Sequence, residues 1–175
     1  MSETVAEVQI HRVTQADAAA TAEYMRALRA EVAAGRLDTV PWRQPKTAEE
    51  QREFLIWIEL NPHAVMFAAF AGDEVVGLVD IVGGLGDFDR HQGVLGISVA
   101  REWRGKGLGR ALMEAAIAEA KSWPGFCRIE LICVTWNTNA IALYESLGFA
   151  IEGRKRKAVK FRGRAEDEFL MALVW

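Results

Sequence analysis

Between Gly93 and Val134 the chain reads as strand, glycine-rich turn, helix and strand, an order that leaves few folds open. Gly93–Val99 is a short apolar run. From about Gly107 to Ser122, the residues Leu108, Ala111, Leu112, Ala115 and Ala118 cover most of a helix circumference. Arg128–Val134 then returns to apolar residues. A largely buried helix between two strands predicts a crossover that leaves those strands parallel in one sheet.

The remaining elements supply antiparallel neighbours. Val8 and Ile10 alternate with Gln9 and His11 in a half-buried first strand. Gly72-Asp73 joins Ala64–Ala71 to Glu74–Val82 as a hairpin, and Phe149–Lys155 and Glu168–Val174 make a last pair. Thr14 with Asp17, and Thr47 with Glu50, have the spacing of helix starts. Tyr24, Leu28 and Val32 stripe the first of these helices, which stops near Gly35; Phe54, Leu55 and Ile58 stripe the second, which stops at Asn61-Pro62. Asn139–Leu147 is a short helix closed by Gly148. The order β-α-α-β-β-β-α-β-α-β-β predicts an α/β fold with a mixed sheet and helices on both faces. With no repeat or linker, residues 1–175 read as one domain.

Composition narrows the function classes. With 51% hydrophobic and 26% charged residues the chain is globular, and its longest apolar run, Ala64–Ala71, is too short for a bilayer. Met1–Glu7 lacks the basic and apolar regions of a signal peptide, so a cytoplasmic setting is expected. Cys127 and Cys133 stand at opposite ends of one strand, about 20 Å apart and out of disulfide reach. Neither they nor His11, His63 and His91 have metal-site spacing, so no metal is expected. A net charge of −3 leaves only the last hairpin, with Arg154, Lys155, Arg156, Lys157, Lys160, Arg162 and Arg164, as a basic patch. Without an aromatic platform it predicts no nucleic-acid partner; a solvated strand pair accounts for it, and attracting an anionic acceptor, the phosphates of a bound cofactor or a ribosomal surface are its other readings.

The turn Val99-Ala100-Arg101-Glu102-Trp103-Arg104-Gly105-Lys106-Gly107-Leu108-Gly109-Arg110 is the most informative segment. Gly105, Gly107 and Gly109 allow close backbone approach or positive φ, and the following helix offers unpaired N–H groups. Arg104, Lys106 and Arg110 add positive charge, so the turn suits a pyrophosphate. A Walker A loop needs Ser or Thr where Gly107 follows Lys106, and a dinucleotide fingerprint needs Gly where Arg110 stands. Alternating glycines alone also suit an ordinary tight turn.

A second signature follows the next strand, in Asn137, Ala140, Leu143, Tyr144, Gly148 and Phe149. With Arg104, Gly107 and Gly109 before it, the chain resembles the GNAT superfamily of N-acetyltransferases over essentially its whole length. The resemblance implies a mostly antiparallel sheet whose central parallel pair splays to hold coenzyme A, with acetyl-CoA as the acyl donor. It implies contacts to the donor from Ile97, Ser98, Val99, Arg104, Gly105, Lys106, Gly107, Gly109, Arg110, Asn137 and Tyr144. An N–H near Val99 is expected to face the thioester oxygen, and Tyr144 to protonate the leaving sulfur. Packing through the ring is the other reading of Tyr144, and starting a helix the other reading of Asn137.

The acceptor amine must lose a proton, because a lysine amine has a pKa of about 10.4 and an α-amine about 8. Glu130 is a candidate base on an otherwise apolar strand; pairing with a basic residue explains it equally well. Some family members carry a catalytic Glu further along this strand, where Ile132 stands here. Asp80, Glu31, His91 or water are further candidates. Trp42 and Arg43, in the loop Leu37–Lys46, are candidates for holding a carboxylate-bearing acceptor, or cap the core and face solvent.

The tail from Ile151-Glu152-Gly153 to Met171-Ala172 resembles the branch that acetylates amino acids and related small amines. A small-molecule amine is therefore the first expected acceptor and a protein α-amine the second. A non-catalytic acyl-CoA sensor is the alternative of another class, and a homodimer is left open.

Overall fold

Two threonines set the first helices in the computed structural model, which describes residues 8–34 and 46–175. The Thr14 N–H donates to Asp17 Oδ2 (2.9 Å) and the Ala16 N–H to Thr14 Oγ1 (3.3 Å), opening a short turn that runs into α1 (Ala18–Ala33). The Thr47 N–H donates to Glu50 Oε2 (2.8 Å), and the Glu50 N–H returns to Thr47 Oγ1 (3.2 Å), at the start of α2 (Ala48–Leu60). Each reciprocal pair satisfies N–H groups that a helix start leaves open. Gly35, Trp42 and Arg43 lie outside the described residues.

The strands are β1 (Val8–Arg12), β2 (Ala64–Ala71), β3 (Glu74–Gly83), β4 (Gln92–Val99), β5 (Arg128–Val134), β6 (Ala150–Phe161) and β7 (Arg164–Val174). They form one sheet ordered β1-β2-β3-β4-β5-β7-β6. Every neighbouring pair is antiparallel except β4–β5, joined through α3 (Leu108–Lys121) as the crossover predicts. The parallel pairing covers only Gln92↔Arg128, Gly93↔Ile129 and Val94↔Glu130. Beyond that rung the two strands part. The remaining helix, α4 (Thr138–Ser146), follows β5.

Burial fixes which helix lies on which face. On one side Leu112, Met113 and Ala116 of α3 pack with Val79, Ile81, Leu95, Ile129 and Leu131. On the other, Tyr24, Leu28 and Leu55 of α1 and α2 cover Met66, Ala68 and Leu78. A methyl group on Gly77 would stand 2.8 Å from Leu112 Cδ1, so α3 rests on bare β3 backbone at that point.

The last hairpin departs from expectation. β6 and β7 run well past the expected Phe149–Lys155 and Glu168–Val174. Nearly all of β6 is exposed at the sheet edge, so no apolar alternation marks its length. Ion pairs Arg154–Asp167 (2.7 Å) and Lys155–Glu168 (3.5 Å) tie its basic residues to β7. Both cysteines are free, as their positions required. Among the described residues no helix is long and apolar enough to cross a membrane, and no group of side chains is placed to hold a metal ion.

Candidate active site

Where β4 and β5 part, the sheet leaves backbone groups turned toward the gap. The Ala100 N–H donates to Val76 O (2.9 Å), which sets the alternation of the antiparallel β3–β4 ladder. Ser98 and Gly96 therefore bond to β3, while Ile97 and Val99 turn their N–H and C=O groups toward β5. Arg104 Nε donates to Val99 O at 2.9 Å, closing one end of this edge. The gap itself is a cavity of about 170 Å³ between Val94–Ile97 and Leu131–Val134.

A larger groove of about 590 Å³ shares Ile97, Asn137 and Tyr144 with that gap and runs to the start of α3. Gly105 (φ 70°) and Gly107 (φ 83°) take the left-handed conformation that lets the chain turn into the helix. Gly107 caps α3 without any side-chain hydrogen bond, and the first internal bond runs from the Ala111 N–H to Gly107 O (3.1 Å). The N–H groups of Leu108, Gly109 and Arg110 consequently have no partner within the helix. Bare donors, the positive helix end and two guanidinium groups fit a diphosphate. Arg110 is oriented by donating from Nη2 to Ser146 Oγ (2.6 Å).

Ile97, Ser98, Val99, Arg104, Gly105, Gly107, Gly109, Arg110, Asn137 and Tyr144 all line this groove. Lys106 does not; its ammonium sits 5.3 Å from the centre of the Trp103 ring, a cation–π contact. Asn137 Oδ1 accepts from the Ala140 N–H (3.3 Å), so this residue starts α4 as well as facing the groove. Tyr144 packs its ring against Phe149 (centroids 6.1 Å apart), and its hydroxyl has no hydrogen-bond partner among the described residues. Burial pushes the phenol well above its ordinary pKa, so it is a proton donor at neutral pH. Burial and the nearby Glu168 push the neighbouring Cys133 thiol up to about 11, which keeps it protonated.

Glu130 is not placed on the gap. Its carboxylate accepts from Arg128 Nε (2.8 Å) and Nη2 (2.6 Å), and Arg128 also donates to Glu152 (2.9 Å). Glu130 stands at the last paired rung, opposite Val94, where the strands are still joined. Of the other acids, Asp80 is buried and Glu31 borders a separate groove; His91 is exposed. Two residues enter that the sequence did not assign to the site. Tyr24 donates from its hydroxyl to Ser98 Oγ (3.2 Å), tying α1 to the open strand, and burial raises its pKa to about 12. Glu168 of β7 lines the gap beside Tyr144.

Known proteins share this fold. The profile of the acetyltransferase (GNAT) family matches residues 32–149. The L-amino acid N-acetyltransferase AaaT of Escherichia coli (strain K12) is 36% identical over 84 residues, covering 48% of this chain and 52% of that enzyme, about half its length. The [ribosomal protein bS18]-alanine N-acetyltransferase of the same organism is 33% identical over 138 residues, covering 79% of this chain and 84% of that enzyme. A crystal structure of an acetyltransferase of the GNAT family from Streptococcus pneumoniae superposes with a TM-score of 0.87 at 26% identity, covering 97% of this chain and all of that one (100%).

Proposed function

The chain belongs to the GNAT acetyltransferase family, and from that premise we propose that it moves the acetyl group of acetyl-CoA onto the primary amine of a small amino-acid-like acceptor. The observation that carries this reading is the continuity of one cleft. It runs from the bare N–H groups at the start of α3, along the open edge of β4, to the buried Tyr144 hydroxyl.

In this reading Arg104, Arg110 and the N–H groups of Leu108–Arg110 hold the diphosphate of coenzyme A. Ile97 and Val99 pair with the amides of its arm. The donor supplies a thioester carbon open to direct attack by a neutral amine. The Val99 N–H stabilises charge on the thioester oxygen, and Tyr144 gives its proton to the sulfur as it departs. Residues 1–175 act as one domain, in a cytoplasmic setting.

The likeness to AaaT supports a small amino acid as acceptor. A protein α-amine is the second reading, favoured by the longer match to the bS18-alanine enzyme. A screen of L-amino acids, simple amines and an alanine-initiated peptide with acetyl-CoA, reading free thiol, separates them. Turnover of free amino acids at millimolar or lower concentration is expected. Turnover of the peptide alone would shift the assignment to protein acceptors, and acetyl-CoA binding with no amine-dependent thiol release would make the chain a sensor.

A further inference from the structure

The residues assigned so far bind the donor and protonate its sulfur, but none removes the proton that keeps an acceptor amine from attacking. Among the described residues lining the gap and the groove, one carries a carboxylate: Glu168. We propose that Glu168 receives the acceptor's ammonium group and takes its proton, a role that rests on the acetyl-transfer reading above.

Its position follows from register. Glu168 stands opposite Val134, and Leu170 opposite Ile132, while Phe169 pairs with Cys133. Phe169 and Cys133 belong to the face packed by α3 and α4. Alternation therefore puts Glu168 on the opposite face of the sheet, the side covered elsewhere by α1 and α2. The gap passes through the sheet, with Tyr144 and Glu168 both on its walls. A donor laid along α3 and α4 and an amine arriving beside Glu168 would thus meet from opposite sides.

The carboxylate is free enough to act. Its ion-pair partner, Lys155 Nζ, is 3.5 Å away, and the Lys155 side chain is 53% exposed against 15% for Glu168. Such a long, wet contact holds the acid weakly, whereas Glu130 accepts two hydrogen bonds from Arg128. The apolar side chains of Ile132 and Val134 share this face of the sheet with Glu168 and strengthen its attraction for an entering cation.

The step balances without further reagents. The ammonium passes one proton to Glu168, and the free amine lone pair forms the C–N bond to the thioester carbon. The C–S bond breaks with its electron pair on sulfur, which takes the Tyr144 proton. The second amine proton leaves as the amide forms and returns the tyrosinate to phenol, while Glu168 releases its proton to solvent. One acetyl group is transferred, one thiol is formed and one proton is released per amine.

Glu168→Gln, Glu168→Asp and Lys155→Ala test the proposal, with the best free amine from the screen as acceptor. Calorimetry of acetyl-CoA and thermal unfolding serve as controls. For Glu168→Gln a fall in kcat/KM of about 100-fold or more is expected, with acetyl-CoA affinity unchanged. That loss should shrink as pH rises toward the amine's own pKa, where solvent supplies free amine. Among the described residues, the titratable groups close to Glu168 are Lys155 from β6, Cys133 from β5 and Tyr144 from α4, and all are retained in Glu168→Gln. Glu168→Asp should keep the wild-type pH profile at a reduced rate, which carries the test should the Gln variant unfold. Lys155→Ala should stay near wild type. Equal losses in Lys155→Ala and Glu168→Gln, or an unaltered rate and pH profile in Glu168→Gln or Glu168→Asp relative to these expectations, would overturn the assignment. Wild-type protein inactive with every amine would instead remove the acetyl-transfer reading, and this inference with it.

Discussion

Replacing Tyr144 by Phe removes one oxygen from the wall of the cleft. The Tyr144 side chain is 8% exposed and its ring rests on Phe149. Phe keeps that packing, and because the hydroxyl has no hydrogen-bond partner among the described residues, the fold loses none. A change in unfolding free energy of no more than about 1 kcal/mol is expected, since neither a hydrogen bond nor the ring contact is lost. The rate should respond on another scale. Loss of a positioned proton donor costs roughly 10²- to 10⁴-fold, or about 2.7 to 5.4 kcal/mol of barrier. The measurement pairs thermal unfolding with thiol release at saturating acetyl-CoA, and calorimetry confirms that the donor still binds. A variant with wild-type kcat across the pH range would refute the role of Tyr144. One that lost both stability and donor affinity would show the hydroxyl to be structural.

Gly107→Val forces a β-branched residue to φ 83°, at a cost of about 1–3 kcal/mol, and disturbs the diphosphate cradle. Acetyl-CoA affinity by calorimetry should fall at least about tenfold, or 1.4 kcal/mol; normal affinity contradicts the placement of the donor. Leu112→Ala, at a fully buried position above Gly77, should destabilise by about 2–5 kcal/mol in denaturant unfolding. A loss under about 1 kcal/mol would mean that α3 does not anchor this core. Tyr24 titrates at about 12 when folded, against 10.0 ordinarily, so its neutral form favours the fold below pH 10 and that contribution is lost as pH rises toward 12. The shift corresponds to about 2–3 kcal/mol, and Tyr24→Phe should flatten the fall in stability between pH 10 and 12. An equally steep fall in the variant assigns the alkaline transition elsewhere.

Local signals were legible wherever burial or capping imposed a pattern. The bounds of β5 match because an apolar run is framed by polar and turn residues, and both Thr-to-acid spacings proved to be reciprocal caps. The turn into α3 was readable because Gly105 and Gly107 supply the positive φ it needs, but the glycines alone also suit an ordinary tight turn, and only the second signature, Asn137 to Phe149, pointed beyond that. The length of β6 was hidden, since an exposed edge strand is held by backbone bonds that leave no mark on side-chain choice. The two glutamates show the deeper limit. Glu130 stood out on an apolar strand, yet the neighbouring Arg128 on the same face claims it. Glu168 hid beside Glu166 and Asp167 as one more acid, and only the rung with Val134 brings it to the gap. Which face a side chain takes is set by pairing between distant segments, which a linear pattern does not contain.

The parting of β4 from β5 has an evolutionary corollary. In the proposed reading, grip on the donor's arm depends on amide groups that every residue except proline possesses, so point substitutions along Ile97–Val99 would leave it largely untouched. Residues on the far side of the sheet are under no such constraint. A lineage built this way can drift toward new amines one mutation at a time while its capacity to carry an activated acetyl unit is inherited intact.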